Sequence, residues 1–281
     1  MWRNLGQLLR YRGLIQSLVA RELKARYRGS ALGFFWSFVN PLLLLLIYSI
    51  VFDKFLQNRA LGVQPYALFL FAGLLPWTWF STALNESAGV LISGGNLIKK
   101  VLFPAEVLPI VSVLTNMVHF FFGLPILGVF LAYYIWSPAA SVDPATGQVI
   151  VHQVALHWQE LVWLPVVILV QLMLTTGLAL LLSSITVLFR DIRDILANLL
   201  TFWFFATPII YSWRDLPQLK RWFDFNPFTH LAVSYQEILF FPDNAFGHRN
   251  WLLALGAASV VMFLVGYWVF DRLRDTFAEA V

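Results

Sequence analysis

Long apolar stretches follow one another along the chain and are separated by short polar connections. Six of them reach about the 20 predominantly apolar residues that a helix needs to cross the hydrocarbon core of a bilayer. They cover residues 34–52, 66–92, 107–136, 161–189, 195–211 and 251–270. None shows the strict alternation of apolar and polar positions that is typical of outer-membrane barrel strands. The pattern therefore predicts an all-α integral membrane protein with six transmembrane helices.

An amphipathic segment precedes the first predicted span. Apolar residues recur there at helical spacing, and basic residues occupy the other positions. The apolar set consists of Leu14, Ile15, Leu18, Val19, Leu23 and Tyr27. We predict that residues 1–30 contain an amphipathic interfacial helix on the cytoplasmic leaflet, and that residues 31–281 form the six-span transmembrane domain. A basic stop sequence without a structural role is the alternative.

The connection between the fifth and sixth predicted spans contains two unusual segments. Residues 216–225 are rich in charged and aromatic side chains, and a largely apolar run covers residues 228–241 after Asn226-Pro227. An apolar run of about 14 residues is too short to span a bilayer. We predict re-entrant outer helices that form a lid over the transport path. A structured surface loop held by the lipid headgroups is the alternative.

The connection between the third and fourth predicted spans, residues 137–160, contains no Lys or Arg. Its residues 149–156 are rich in Val and Ile types, which favour strands. We predict a short strand there, in a small extracytoplasmic hairpin. The sequence indicates no function for this loop.

Composition and charge agree with a membrane protein. Of the 281 residues, 59% are hydrophobic and 12% are charged, whereas soluble domains have about 45–50% and about 25%. Of the 19 Lys and Arg residues, 13 fall in segments that lie inside if the N-terminus is cytoplasmic. The positive-inside rule therefore predicts that both termini are cytoplasmic. The net charge of +4 is then a topology signal and does not indicate nucleic-acid binding.

The sequence contains no motif for ATP binding or catalysis. The closest match to a phosphate-binding loop runs from Gly89 to Gly94, but Gly95-Asn96 follow where the loop needs Lys and Ser or Thr,. With no Cys in the chain, a disulfide framework, a thiolate metal site and a Cys nucleophile are excluded. We expect a non-catalytic chain without a bound metal or cofactor. If ATP powers the protein, another chain must bind it.

Two ionisable residues lie well inside the predicted spans. Intramembrane ionisable residues are functional candidates by default. Glu86 lies close enough to the inner end of its span to pair with a basic residue, and His119 is expected to stay neutral and hydrogen-bond a neighbouring helix. Structural pairing is the favoured interpretation, because a proton-driven carrier needs several carboxylates along one path. Proton coupling through the two residues is the alternative.

Aromatic residues make up 17% of the chain and include 12 Trp. Many lie near span ends, as in the interfacial belts of membrane proteins. Others cluster at residues 34–38, 77–80 and 202–205. Aromatic faces suit the apolar C–H faces of sugar rings, because they offer contact area without fixed hydrogen-bond geometry. Packing of these rings against lipid or another helix is the alternative.

Several segments, in order along the chain, resemble one family. They are residues 21–28 (RELKARYR), Leu32-Gly33 with Trp36 and Pro41-Leu42, residues 96–104 (NLIKKVLFP), residues 189–194 (FRDIRD), residues 207–211 (TPIIY) and Asn226-Pro227. They resemble the N-terminal signature, the two inner loops, the end of the fifth span and the outer re-entrant segment of type 2 ABC exporter permeases. The similarity is closest to exporters of O-antigen, capsular polysaccharide or teichoic acid.

The resemblance implies a homodimer in the bacterial plasma (inner) membrane. Two copies of a cytoplasmic ATP-binding subunit would carry ATP and Mg²⁺, and a lipid-linked glycan would pass between the protomers. The coupling surface implied by the N-terminal helix and the inner loops consists of Glu22, Arg26, Lys99, Lys100, Arg190 and Asp191. The candidate residues for the passage lining are Phe38, Trp77, Trp79, Phe202 and Phe205. The loop at residues 137–160 is longer than this resemblance requires.

Two alternatives to polysaccharide export remain. The same family architecture could export a drug, an antibiotic or a lipid. A self-contained secondary carrier or a membrane-embedded enzyme is disfavoured, since the sequence shows neither a carboxylate path nor a catalytic constellation.

Overall fold

The computed structural model describes residues 10–51, 65–99, 103–142, 149–152, 159–240 and 246–280. These residues form ten α-helices and one two-stranded hairpin. The helices are α1 (Arg12–Arg26), α2 (Trp36–Tyr48), α3 (Tyr66–Ser93), α4 (Gly95–Ile98), α5 (Val107–Trp136), α6 (Leu164–Leu188), α7 (Ile192–Phe205), α8 (Lys220–Phe225), α9 (Pro227–Leu239) and α10 (Arg249–Ala280). The strands are β1 (Ala139–Val142) and β2 (Val149–His152). Short 3₁₀ turns lie at Gly33–Phe35, Glu160–Trp163, Trp213–Asp215 and Pro217–Leu219.

Four helical segments are long and apolar enough to cross a membrane. They are Tyr66–Ser93, Val107–Trp136, Glu160–Leu188 and Arg249–Phe277, and they match the second, third, fourth and sixth predicted spans. The prediction of an all-α integral membrane protein is confirmed. The first predicted span forms the shorter apolar helix Trp36–Val51, and the fifth forms α7, with 14 residues. The count of six spans stays a prediction.

Helix α3 forms the centre of the bundle. Every residue from Tyr66 to Trp77 is buried, and α3 contacts α5, α6, α7 and α9. A helix that is apolar all round is expected to lie inside a protein or a membrane. Here protein side chains cover it, so the other helices are arranged around α3.

Helices α6 and α10 pack closely because glycines face each other at their crossing. A Cβ atom on Gly177 would lie 2.7 Å from the backbone nitrogen of Phe263, and one on Gly266 would overlap the carbonyl group of Gly177. Small residues at such positions let membrane helices approach until their backbones touch.

Helix α1 follows the predicted amphipathic pattern and packs against α5. Leu18 forms an apolar cluster with Val107 and Val111 at the start of α5, and Leu14 and Ile15 pack around it. The stripe therefore holds α1 to the bundle, which argues against a stop sequence without a structural role. The position of α1 at the membrane interface stays a prediction.

Helix α7 ends six residues before the predicted end of the fifth span. It stops at Phe205, and Pro208 follows shortly after. Proline has no N–H group and disfavours helical geometry in the residue before it, here Thr207. The apolar pattern continues to Tyr211, but the backbone does not continue as a helix.

One asparagine joins the end of α7 to the start of α9. The Asn226 side-chain oxygen accepts hydrogen bonds from the backbone N–H of Phe228 at 3.0 Å and from the Trp203 indole at 2.7 Å. Its amide nitrogen donates to the Ala206 carbonyl at 3.2 Å and to the Thr207 hydroxyl at 3.0 Å. Asn226 is thus the N-cap of α9 and also satisfies an unpaired carbonyl just after α7.

The apolar run after Asn226-Pro227 forms helix α9. Every residue from Phe228 to Leu239 is buried, and the helix contacts α3, α6 and α10. This burial argues against the alternative of a surface loop held by lipid headgroups. The re-entrant path and the lid stay predictions. Residue 241, at the end of the predicted run, lies outside the described residues.

The predicted hairpin is confirmed. Strand β2 falls within the predicted residues 149–156 and pairs antiparallel with β1, with Ala139 opposite His152 and Val142 opposite Val149. Its extracytoplasmic position stays a prediction.

We predict that Gly266→Val destabilises the protein, because the new side chain meets the α6 backbone. Overpacking of this kind costs about 1–3 kcal/mol. Gly128→Val is the matched control, since Gly128 is also in a helix but has no atom within 4 Å of an added Cβ. The measurement is size-exclusion chromatography of each protein after heating in detergent. The monodisperse fraction of Gly266→Val should fall at a lower temperature than that of the wild type, and the fraction of Gly128→Val should not. Equal midpoints for the two variants would contradict the close packing.

Candidate functional site

A cleft of about 630 Å³ opens where α1, α3, α5 and the first turn of α7 meet. We call it the α1 cleft. Its charged lining residues are Arg21, Glu22, Arg26, Glu86 and Arg193. Two of the predicted coupling residues, Glu22 and Arg26, therefore lie at one site together with charged residues from α3 and α7.

A triangle of polar contacts joins α1 to α3 and α5 beside the α1 cleft. Arg26 Nη2 lies 2.7 Å from Glu86 Oε1, and Asn116 Nδ2 donates to Glu86 Oε2 at 2.6 Å. Arg26 Nη1 also donates to Asn116 Oδ1 at 3.4 Å. The prediction that Glu86 pairs with a basic residue is confirmed.

The strength of this ion pair is limited by its contact with solvent. The side chains of Arg26 and Glu86 are 28% and 36% exposed, and pairs of this kind contribute about 0–1 kcal/mol to stability. Its main effect is therefore geometric, because it fixes the orientation of α1 relative to α3. Sequence reasoning missed Asn116, although a polar amide inside an apolar span is a signal for helix–helix hydrogen bonding.

His119 lies one helical turn beyond Asn116 and packs against α1. Its ring meets the edge of the Tyr27 ring, with centroids 6.0 Å apart. Its Nε2 has no hydrogen-bond partner among the residues that the structure describes. The expected hydrogen bond to a neighbouring helix is therefore not made by this nitrogen, and aromatic packing holds the ring.

Arg193 connects the first turn of α7 to α3. Its guanidinium lies 3.8 Å from the position of a Cβ atom on Gly89, which is van der Waals distance, so the side chain lies directly beside Gly89. Sequence reasoning placed Arg193 in the FRDIRD motif but not among the coupling residues. The signal that could have identified it is the glycine one helical turn after Glu86 on the same face of α3.

Three further predicted coupling residues lie at exposed positions. Lys99 follows α4 two residues after Leu97, which lines the α1 cleft. Arg190 and Asp191 are exposed in the connection between α6 and α7, one turn before Arg193. Lys100 lies outside the described residues. The structure thus brings Glu22 and Arg26 together and leaves Lys99, Arg190 and Asp191 accessible to a partner.

A second ion pair that the sequence did not predict lies at the start of α5. The buried Glu106 precedes α5, and its Oε2 lies 3.5 Å from Arg274 Nη2 near the end of α10. This contact ties the segment after α4 to the last helix.

The predicted passage residues fall into two groups. Phe202 and Phe205 are 71% and 59% exposed, and they continue a stripe of exposed apolar residues that begins at Ile195 and Leu199 on the same face of α7. Phe38 is half-buried and its ring packs on Phe122, with centroids 4.7 Å apart.

Both predicted tryptophans are buried within the protomer. Trp77 packs against Trp203 and Phe204 of α7, with ring centroids 6.3 and 5.7 Å away. The Trp79 indole donates to the Val113 carbonyl at 3.1 Å. Trp77 thus lies behind α7 and supports the helix that carries Phe202 and Phe205.

Comparison with known proteins places this chain among transporter subunits. The family model described as ABC-2 type transporter matches residues 13–240. The O-antigen export system permease protein RfbA of Myxococcus xanthus is 39% identical over 285 residues, which covers 100% of this chain and 100% of that protein. A protein of the same name from Klebsiella pneumoniae is 28% identical over 278 residues, which covers 98% of this chain and 96% of that protein.

A more distant relative is also named as a transport protein. The polysialic acid transport protein KpsM of Escherichia coli is 22% identical over 225 residues, which covers 79% of this chain and 80% of that protein. The match to the family model extends from α1 to the end of α9 and so includes the α1 cleft, α7 and Asn226. The family resemblance of the sequence motifs is confirmed, and the chain belongs to the ABC-2 type transporter family as a membrane-spanning permease subunit.

Proposed function

We propose that this chain is the transmembrane subunit of an ATP-driven exporter that moves a lipid-linked polysaccharide out of the cytoplasm. The observation that carries the proposal is the full-length similarity, at 39% identity, to a protein named as an O-antigen export permease. A relative named for polysialic acid transport supports the same class of cargo. O-antigen, capsule and teichoic acid polymers are the members of this class that we consider.

ATP binds to a separate cytoplasmic subunit in this proposal, because the chain has no phosphate-binding loop of its own,. Two copies of that subunit, with ATP and Mg²⁺, dock on a coupling surface formed by Glu22, Arg26, Lys99, Lys100, Arg190 and Asp191. The exposure of Arg190 and Asp191 supports this role. Inner-membrane location is what membership of this transporter family implies, and the distribution of Lys and Arg supports cytoplasmic termini.

The contacts of the α1 cleft provide a path by which docking can move the helices. Arg26 links α1 to Glu86 of α3, and Arg193 links the first turn of α7 to Gly89 of α3. A displacement of α1 or of the connection between α6 and α7 therefore acts on α3 and on the exposed face of α7.

A second copy of the chain completes the transport path in this proposal. The two short helices α2 and α7 both carry exposed apolar residues. Those on α2 are Leu42, Leu43, Leu46 and Ile47, with Ile50 just after the helix, and those on α7 are Ile195, Leu199, Phe202 and Phe205. Association of two protomers across a two-fold axis covers such faces. Phe38, Phe202 and Phe205 then line the passage, and Trp77 and Trp79 support it from behind.

Charge reversal of Arg190 and Asp191 together should abolish export and leave the dimer assembled, because both side chains are exposed and, in this proposal, face the ATP-binding subunit. The measurement is surface polysaccharide in a strain that lacks the native gene and expresses Arg190→Glu with Asp191→Arg. Crosslinking of the same membranes reports the dimer.

The matched control reverses two exposed charges elsewhere, Arg272→Glu with Asp275→Arg on α10, and it should export normally. Full export by the Arg190 and Asp191 double variant would remove the coupling role of this connection. Normal surface polysaccharide in the strain that lacks the gene altogether would refute polysaccharide export as the function.

Reversal of one charge in the Arg26–Glu86 pair should loosen α1. In Arg26→Glu, two carboxylates face each other, so amide hydrogen exchange across Arg12–Arg26 should rise and export should fall. The free energy of unfolding should change by only about 1 kcal/mol. Combining Arg26→Glu with Glu86→Arg should restore both readouts, at least in part.

Lys24→Glu is the control for this experiment, since Lys24 is exposed on α1 and does not line the cleft. If the swapped pair exports no better than Arg26→Glu alone, the ion pair does not position α1.

A further inference from the structure

A second cavity lies beside α9 and shares no lining residue with the α1 cleft. It has a volume of about 530 Å³ and is bounded by the turn Trp213–Asp215, by α8 and α9, and by the start of α10. We call it the α9 pocket. Small-ligand sites commonly have volumes of about 300–1,000 Å³. Nothing in the coupling surface or the proposed passage accounts for this cavity.

Charged side chains of both signs line the α9 pocket. Arg214 and Lys220 contribute two cationic groups, and Asp224 and Glu237 contribute two carboxyl groups. The carboxylates repel an anionic ligand and the two basic groups repel a cationic ligand, so neither kind of ligand is favoured. A neutral ligand rich in hydroxyl groups suits this lining, since each hydroxyl both donates and accepts hydrogen bonds.

The protonation states agree with a neutral ligand. Burial, together with the neighbouring His230 and Lys220, lowers the pKa of His248 to about 4, so its ring is uncharged at neutral pH. Burial raises the pKa of Glu237, against the hydrogen bond from His248 and the charge of Arg214, which lower it. Either form of the Glu237 carboxyl group can hydrogen-bond a hydroxyl.

Aromatic rings form part of the pocket wall. Trp213, Phe223 and Trp251 line it. One face of Trp251 stacks on His230, with centroids 4.7 Å apart and planes 6° apart, yet the side chain remains 44% exposed. A ring that is held on one face and open elsewhere offers a rigid surface to the C–H face of a sugar.

Two buried polar atoms at the pocket lack a partner. Among the described residues, neither the Trp213 indole nitrogen nor the Thr229 hydroxyl makes a hydrogen bond. Buried polar groups in native proteins are normally satisfied by protein, water or ligand. The hydroxyl groups of a sugar supply both the acceptor that the indole needs and a partner for the threonine.

Hydrogen bonds from three elements hold the pocket in shape. Glu237 Oε2 accepts the backbone N–H of His248 at 3.0 Å, and His248 Nε2 lies 3.1 Å from His230 Nδ1. His230 Nε2 lies 3.0 Å from the carbonyl oxygen of Asp224. These contacts join α8, α9 and the start of α10, and a preorganised site loses less conformational entropy when it binds a ligand.

We propose that the α9 pocket is a binding subsite for one short neutral segment of the exported glycan, on the exit side of the transport path. The proposal rests on the polysaccharide export proposed above, which supplies the class of ligand and the side of the membrane. In this account the pocket holds the emerging chain beside α9 while the next segment crosses.

The test uses the purified full-length chain in lipid nanodiscs, without the ATP-binding subunit. The probe is an oligosaccharide fraction released by mild acid hydrolysis from the host's own surface polysaccharide, and binding is followed by saturation-transfer NMR. Thr229→Val is the first variant, because it keeps the shape of the side chain and removes the unpartnered hydroxyl. Its thermal stability should equal or exceed that of the wild type, while its affinity for the oligosaccharide falls several-fold.

Trp251→Leu is the second variant and should lower the affinity about tenfold through loss of the ring surface. Trp222→Leu is its control, because Trp222 is an exposed tryptophan of α8 that does not line the pocket. Unchanged affinity in both Thr229→Val and Trp251→Leu would overturn the proposal. Saturable binding of inorganic pyrophosphate in place of the oligosaccharide would also overturn it, in favour of an anion site.

A third measurement uses the absence of cysteine from the chain. The oligosaccharide should slow maleimide labelling of Asp224→Cys in proportion to its concentration and leave the labelling of Trp222→Cys unchanged. Equal rates with and without the oligosaccharide would contradict the pocket. If the chain supports export in cells but the oligosaccharide does not protect Asp224→Cys from labelling, only the subsite is refuted. If the chain binds the oligosaccharide but cells without its gene still export the polysaccharide, the proposed function is refuted.

Discussion

The enclosure of α3 by protein is the constraint on which the rest of the structure depends. Backbone polar groups inside a bilayer must be satisfied by the protein itself, and α3 meets this requirement as a continuous helix with other helices packed around it. Its beginning contacts the segment after α7, where the Tyr66 hydroxyl donates to the Ile210 carbonyl at 2.5 Å. Its far end carries Glu86, which binds Arg26 of α1. One rigid element therefore connects the α1 cleft with the region of α9.

Polar side chains inside the bundle bind backbone carbonyls at prolines and near helix ends. Gln171 of α6 donates to the Pro76 carbonyl of α3 at 2.8 Å, and Gln236 of α9 donates to the Pro208 carbonyl after α7 at 3.1 Å. Asn226 satisfies the end of α7 and begins α9. Each amide binds a carbonyl at a proline or just after a helix end, so these polar side chains help to hold the helices of the bundle together.

The sequence predicted those parts of the fold whose signal is local. An uninterrupted apolar length is sufficient to identify α3, α5, α6 and α10, and the pattern of α1 identifies its apolar stripe. The depth of α9 could not be predicted, because its apolar run suits a loop, a re-entrant helix or a buried helix equally. Likewise Trp77 and Phe202 belong to similar aromatic clusters, but packing buries the first and exposes the second. In the α1 cleft the charge on Glu86 implied a basic partner, whereas Asn116 and Arg193 depend on tertiary contacts that no local pattern encodes.

In the proposed mechanism, this permease works with an ATP-binding subunit that docks on α1 and on the connections after α3 and α6. Affinity purification of the tagged chain from native membranes in mild detergent tests it most directly. The account predicts a stoichiometric partner that carries a phosphate-binding loop, with ATP turnover in the purified complex. A chain that purifies alone under these conditions, with the same result after crosslinking and with no ATP turnover, would contradict it.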